Sequence, residues 1–253
     1  MDLKIEGRIA LVTGGSKGIG LAVAEGLARE GVRLVVSARG AEALEAAAED
    51  LRRHGGEVHA VVADVSTARG VRSLLDAARE RVGPPDVLVS NAGGPPPGRP
   101  SALDDGAWAK GFELTLMSAV RLARGVVGSM RERGWGRIVN VTSLSVRQPV
   151  LDLTLSNAFR SGVTAFARTL ANEVAGEGVT VNNVAPGYTA TARLEELFSD
   201  DYARARLLAT IPAKRFATPD EVAAAAVFLC SQGAAYVTGQ TILVDGGVVG
   251  SVT

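Results

Sequence analysis

The segment Thr13-Gly14-Gly15-Ser16-Lys17-Gly18-Ile19-Gly20 places glycines where a backbone can turn tightly and come close to a phosphate. It follows the apolar run Ile9-Ala10-Leu11-Val12 and precedes a helical pattern from Leu21 to Leu27. Strand, glycine turn and helix in that order set a helix N-terminus, with its partial positive charge, beside the turn. The chemistry implied is binding of the pyrophosphate of a dinucleotide. The spacing is G-x-x-x-G-x-G and not the commoner G-x-G-x-x-G, so the loop alone also fits an ordinary tight turn. A second feature concerns the ribose. An NAD site sets a carboxylate at the end of the second strand to accept from the 2′-hydroxyl. This chain has Ser37-Ala38-Arg39 there. The planar guanidinium of Arg39 suits a 2′-phosphate, and Lys17 adds a second cation nearby. These charges favour NADP(H) over NAD(H), the competing reading being two solvated surface residues.

The elements that must hold these residues follow from periodicity. Apolar, strand-like runs occur at Ile9–Thr13, Arg33–Ser37, Glu57–Val62, Asp86–Ser90, Arg137–Thr142, Thr180–Ala185 and Thr241–Val244. Most are continuous in Val, Ile and Leu, as parallel strands buried on both faces are. Helical patterns lie between them at Ile19–Glu30, Ala41–His54, Ala68–Val82, Asp105–Arg133, Leu153–Glu177 and Pro219–Ser231. The alternation predicts an α/β fold with a doubly wound parallel sheet in a single domain over residues 1–253. Two loops follow strand carboxyl ends, where ligands bind in such sheets: Gly93–Pro100, and Gly187–Thr218 with a short helical piece at Arg193–Leu208. His54 and His59 flank the third strand on its adenine side and read as surface residues.

Composition narrows the function classes. With 27 basic and 27 acidic residues the net charge is zero, which argues against nucleic acid or an anionic membrane as partner. Cys230 stands alone, so no internal disulfide forms, which suits a reducing compartment. Asp2, Lys4, Glu6 and Arg8 interrupt any leader-like segment, and the apolar run Val222–Cys230 is far short of the roughly 18 residues of a membrane span. The expectation is a soluble, cytoplasmic protein with no metal site.

Further signals lie at fitting distances. Asp64-Val65 ends the third strand, Asn91-Ala92-Gly93 the fourth, and Pro186-Gly187 the sixth, with Thr189 and Thr191 behind it. Ser143 sits just past the fifth, and the chain closes on Thr238-Gly239-Gln240-Thr241-Ile242-Leu243-Val244-Asp245-Gly246-Gly247. From Gly7 to Gly247 this resembles the short-chain dehydrogenase/reductase family, close to its 3-oxoacyl-carrier-protein reductase-like branch. The resemblance implies a Rossmann-type sheet of about seven strands, a nicotinamide cofactor and a homotetramer built through the two long central helices and the carboxyl-terminal segment. By the same resemblance Asp64 meets the adenine and Val65 lines its pocket. Asn91, Ala92 and Gly93 form the wall beneath the ribose, and Pro186, Gly187, Thr189 and Thr191 border the nicotinamide.

The family reduces carbonyls or oxidises alcohols with a Tyr-x-x-x-Lys pair, a serine and an asparagine. Thirteen residues beyond Ser143, the tyrosine position is Ser156; four further, the lysine position is Arg160. The asparagine position is Thr115. Phe166, Leu170 and Gly178 to Asn182 fix the register, and no tyrosine lies between Leu3 and Gly187. A serine hydroxyl is a far weaker acid than a phenol of pKa about 10, and it reaches less far. Arg160 keeps a positive charge and a bond to the ribose, but stays protonated and relays no proton. Tyr188, just after Pro186-Gly187, is a candidate substitute acid, with Tyr202 in the lid a remoter one.

Three readings remain open. The first is an NADP(H)-dependent oxidoreductase with an altered proton path, in which Ser143 and Arg160 bind an anionic or polarised small-molecule carbonyl or alcohol. The second is a non-catalytic NADP-binding pseudoenzyme, a sensor or partner subunit. The third is a structural oligomer with vestigial nucleotide binding. Leu194, Leu197, Phe198, Leu207 and Leu208 in the lid suggest a partly apolar substrate pocket, or simple docking of an amphipathic helix.

Overall fold

The computed structural model describes residues 2–198 and 200–251. Seven strands form one parallel sheet: β1 (Ile9–Thr13), β2 (Arg33–Ala38), β3 (Val58–Val62), β4 (Val87–Ser90), β5 (Gly136–Val141), β6 (Val179–Pro186) and β7 (Thr241–Val244). Their order is β3-β2-β1-β4-β5-β6-β7. The chain reverses direction of travel between β1 and β4, and a crevice opens at their carboxyl ends, the switch point where ligands bind in such sheets. Register is set by burial on two faces. Alternate residues Ala10, Val12, Leu34, Val36, Val87 and Val89 enter one core, and Leu11, Val35, Leu88 and Ile138 the other. A one-residue slip would exchange the two sets, so each strand has a single acceptable pairing.

The helices are α1 (Gly18–Arg29), α2 (Ala41–Arg52), α3 (Ala68–Arg81), α4 (Asp105–Gly111), α5 (Ser118–Glu132), α6 (Thr154–Val174), α7 (Ala192–Leu197), α8 (Asp201–Thr210) and α9 (Pro219–Leu229). α1, α2 and α9 cover the first core, and α3, α5 and α6 the second. Among the described residues no helix is long and apolar enough to cross a membrane.

Three expectations are corrected. The helix expected over Asp105–Arg133 is interrupted by a π-helical turn at Phe112–Met117, where Ser118 Oγ donates to the Leu114 carbonyl at 2.5 Å. Such turns break the regular ladder and mark functional segments. The lid is two helices, not one piece over Arg193–Leu208. Phe198 leaves helical geometry (φ −134°, ψ 68°), and the Asp200 carboxylate accepts from Ala203 N at 2.8 Å to start α8 afresh. His54 and His59 are not on the adenine side. His59 lies within β3 opposite Val35, toward the amino end, and the two rings pair with Glu25 and Glu57 at the sheet edge remote from the glycine loop.

Candidate functional site

A cleft of about 780 Å³ runs along the carboxyl ends of the strands. Of the residues singled out in the sequence, it is lined by Gly14, Ser16, Lys17, Gly18, Ile19, Arg39, Asp64, Val65, Asn91, Ala92, Gly93, Ser143, Ser156, Arg160, Pro186, Gly187, Thr189 and Thr191. Gly20 and Thr115 stand behind its walls.

At one end the glycine loop is locked to the ends of β1, β2 and β4. Thr13 Oγ1 donates to the Asn91 carbonyl and accepts from Asn91 N, each at 3.0 Å, while Gly15 N donates to the Ser37 carbonyl at 3.0 Å. Asn91 Nδ2 leans on the Gly14 carbonyl at 3.4 Å. Gly14 has φ +62°, and a Cβ there would stand 2.6 Å from Asn91 Nδ2; one on Gly20 would stand 2.2 Å from the Gly14 oxygen. The glycines are therefore demanded by loop packing, and Gly20 acts from behind the wall. α1 begins here at Lys17 with no side-chain cap, which leaves its first-turn N–H groups without side-chain acceptors at the cleft. Lys17 and Arg39 are exposed at the rim, and neither has an ion-pair partner among the described residues. Asp64 is held in a turn, its Oδ1 accepting from Ser66 N at 3.0 Å and Ser66 Oγ at 2.7 Å.

This end passes the test for a dinucleotide. A Cβ at Gly14 or Gly20 would clash, Gly14 and Gly18 hold positive φ, the helix start has no side-chain cap, and the rim carries cations with no ion-pair partner among the described residues where a 2′-phosphate would lie.

The other end is built by β5 and α6. Ser143 follows β5, and its Oγ accepts from Ser145 N at 3.2 Å, capping a short 3₁₀ turn at Leu144–Val146. α6 is pinned by Phe159, whose ring meets Trp108 and Phe112 edge-on at 5.5 and 5.9 Å. That fixes Ser156 and Arg160 one turn apart on the cleft wall. Ser156 is buried, with no protein partner for its hydroxyl among the described residues. Arg160 Nη1 donates to the carbonyls of Val141 and Thr142 at 2.8 and 3.0 Å. Its Nε and Nη2 have no acceptor among the described residues. Burial, and then the charge of Arg193, push the Arg160 guanidinium down to about 10, so it is still a cation at neutral pH.

Thr115 sits inside the π-helical turn, packed toward α6, and its buried Oγ1 has no hydrogen-bond partner among the described residues. It does not meet Ser143 or Arg160 across the cleft.

Several cleft residues carried no sequence signal strong enough to assign a site role. Arg193, in the first turn of α7, donates from Nη2 to the Pro95 carbonyl at 2.8 Å and reaches Glu196 at 3.3 Å. It ties the lid to the loop after β4. That loop is clasped in turn to the segment before α6: Gly98 N donates to the Asp152 carbonyl at 2.6 Å, and Arg99 pairs with the Asp152 carboxylate at 2.9 Å. Tyr188, the substitute acid the sequence offered, also lines the cleft and is the one phenol that does so among the described residues. Its ring packs edge-on against Phe198 at 6.1 Å, and burial raises its pKa. Leu194, Leu197 and Phe198 line the cleft as the sequence suggested, whereas Leu207 and Leu208 do not. They belong to α8, which starts after the break.

A family model described as enoyl-(acyl carrier protein) reductase matches residues 14–249. The 3-oxoacyl-[acyl-carrier-protein] reductase FabG of Pseudomonas aeruginosa is 37% identical over 246 residues, covering 97% of this chain and 99% of that one. L-sorbose reductase from Gluconobacter frateurii, solved with NADPH and L-sorbose, has a TM-score of 0.93 at 38% identity over 100% of both chains. A variant of the actinorhodin polyketide ketoreductase, solved with NADPH, gives 0.92 at 38% identity over 97% of this chain and 98% of that one.

Proposed function

The chain belongs to the short-chain dehydrogenase/reductase family, and on that premise we propose that it is an NADP(H)-dependent oxidoreductase working on a small-molecule carbonyl or alcohol by an altered proton path. The observation that carries this reading is a single cleft joining the glycine cradle to Ser143, Ser156 and Arg160. Relatives solved with NADPH support the choice of cofactor.

A bound nicotinamide would supply the hydride. Gly14, Ser16, Gly18 and Ile19 would hold its pyrophosphate, with Gly20 shaping the loop from behind, and Lys17 with Arg39 would take the 2′-phosphate. Asp64 and Val65 would receive the adenine, and Asn91 to Gly93 would support the ribose. Pro186, Gly187, Thr189 and Thr191 would border the nicotinamide.

At the reacting end the chain's own groups divide the work. Ser143 donates a hydrogen bond to the substrate oxygen. Arg160 holds the negative charge that grows on that oxygen, through N–H groups its backbone contacts leave free. It gives no proton at neutral pH. The proton comes from water bridged by Ser156, whose short side chain leaves room for one. Thr115, walled off by its π-helical turn, acts only through the placement of that segment.

A second reading is favoured by one observation, the lack of any positioned strong acid: a non-catalytic NADP-binding protein serving as sensor or partner subunit. In either case we propose a cytoplasmic homotetramer, checked by sedimentation. The deciding experiment follows NADPH consumption by the pure protein with a panel of ketones, aldehydes and oxo acids. Turnover that survives Tyr188→Phe supports the altered path. No turnover with any member, despite NADPH binding, leaves the second reading.

A further inference from the structure

The charges in the cleft do not balance. Among its charged lining residues Lys17, Arg39, Arg160 and Arg193 are cationic, and Asp64 alone is acidic. Asp64 stands at the adenine end and is committed to Ser66. Lys17 and Arg39 lie at the opposite end from α6 and have the cofactor's phosphates to meet. That leaves Arg160 and Arg193 at the substrate end with no carboxylate between them. The two guanidiniums line the same cleft, and the charge of Arg193 is the second cause, after burial, of the lowered pKa of Arg160. The one acidic neighbour is Glu196, which touches Arg193 from the solvent side at 3.3 Å and is itself well exposed. Such a pair contributes little. The surrounding wall is apolar, with Leu114, Val150, Leu153, Leu197 and Phe198. Both arginines are half-buried, so an anion set between them against this apolar wall would be only partly shielded from water and would gain more than in bulk solvent.

Building on the oxidoreductase reading, we propose that the substrate is an oxo carboxylate with a compact apolar body, its carboxylate taken by Arg193 of the lid while Arg160 and Ser143 hold its carbonyl oxygen. Arg193 suits this task by position. It stands in the first turn of α7 and at present donates to the Pro95 carbonyl, a neutral acceptor that a carboxylate outcompetes. The remaining donors of its planar fork allow a bidentate grip. Arg193 is thus a specificity residue, and Arg160 the one that faces the reacting atoms.

The test titrates NADP⁺-saturated protein by calorimetry with 4-oxopentanoate and 5-oxohexanoate, and with their methyl esters as neutral controls. The native protein is expected to bind an acid about tenfold or more tightly than its ester. Arg193→Gln erases that ratio, Arg193→Lys restores part of it, and NADP⁺ affinity stays within about twofold in both variants. Equal binding of acids and esters by the native protein overturns the proposal. So does an Arg193→Gln variant that loses NADP⁺ affinity and keeps the ratio, which would assign Arg193 to the pyrophosphate. A preference shown only for acetoacetyl-phosphopantetheine over acetoacetyl-pantetheine, with acids and esters alike, also overturns it. The underlying reading fails separately. If NADP⁺ does not bind, the same acid and ester titrations on the protein alone still decide the anion site. If the acids bind but consume no NADPH when NADPH replaces NADP⁺, the anion site stands and the oxidoreductase reading falls.

Discussion

An arginine packs at each end of strand β5, Arg137 from the strand itself and Arg160 from α6, and the two are held in opposite ways. At the amino end Arg137 is sealed in. Its Nε donates to the Ser231 carbonyl at 3.1 Å, and its Nη1 to those of Gly136 and Gly178 at 2.8 and 3.2 Å. Its Nη2 meets Gln232 Oε1 at 3.4 Å, and its plane lies 4.3 Å from the Trp135 ring centre, with Arg8 also stacked on that ring at 4.0 Å. Only 1% of Arg137 is exposed, and each of its nitrogens has a partner. At the carboxyl end Arg160 reaches back from α6 to two carbonyls through Nη1 alone and turns its other nitrogens toward a cleft. Both charges are disfavoured by burial. One is fully satisfied inside the chain, which is what a structural role requires. The other is half-buried and leaves two nitrogens open to the cleft, where a ligand can accept from them.

Removing each arginine breaks the comparison most sharply. Arg137→Ala leaves three backbone carbonyls without their donor and a cavity beneath Trp135, and is expected to cost about 3–5 kcal/mol. For a chain of this size that lowers Tm by about 6–20 °C in a thermal scan, with NADPH affinity unchanged below the transition. An Arg137→Ala protein as stable as the native one would contradict the structural assignment.

A change at the other end should move chemistry and not stability. The triple variant Ser156→Tyr, Arg160→Lys, Thr115→Asn restores a positioned phenol and is expected to raise reduction of simple ketones by about 10²-fold or more. If it lowers an existing activity, Ser156 and Arg160 serve a different reaction. The pH profile sharpens this. Arg160 titrates at about 10, below its ordinary value, so the folded protein holds fewer protons than the unfolded chain only above that pH. Between pH 6 and 9 the charge is constant, neither stability nor rate changes through it, and a flat rate profile is expected. The triple variant, with a phenol beside an ammonium, should gain a titrating limb in that window; a native profile that already bends there would implicate another acid.

Arg39→Glu tests the cofactor end. It is expected to shift preference from NADPH toward NADH by about 10–100-fold, or about 1.4–2.8 kcal/mol, read from the two affinities. An unchanged ratio would make Arg39 a plain surface residue. The smallest effect concerns Cys230, buried beside Arg137, whose thiol burial pushes up to about 12. It should resist alkylation in the folded protein at pH 8 and react at once in denaturant. Fast labelling of the native form would mean that the amino end of β5 is looser than described.

Much of this was legible in the sequence. The strands Ile9–Thr13 and Thr241–Val244 fall where the apolar runs set them, and the other strands within a residue or two, because burial on both faces leaves a continuous apolar signal. The cradle was legible because glycine has few other reasons to recur at that spacing. What escaped is what depends on side-chain satisfaction across long separations. The π-helical turn at Phe112–Met117 has no periodicity of its own, since it is a local slip within an otherwise helical run. The break at Phe198 depends on Asp200 acting as a cap, a role that Asp201 in the same stretch could equally have suggested. Arg137 and Arg160 look alike as letters, and only their acceptors separate them. Arg193 becomes visible as a partner of Arg160 only once the lid is folded over the loop after β4.

The account rests on a dinucleotide end that is complete and a reacting end where a fixed cation stands in place of a phenol. The most direct test is NADPH consumption by Arg160→Met beside the native protein, with cofactor saturating and the best carbonyl of the panel. With the cofactor saturating for each protein, a rate about 10²–10³-fold lower is expected in the variant, beyond any NADPH affinity lost with the bond to the ribose. A native rate in Arg160→Met would contradict it.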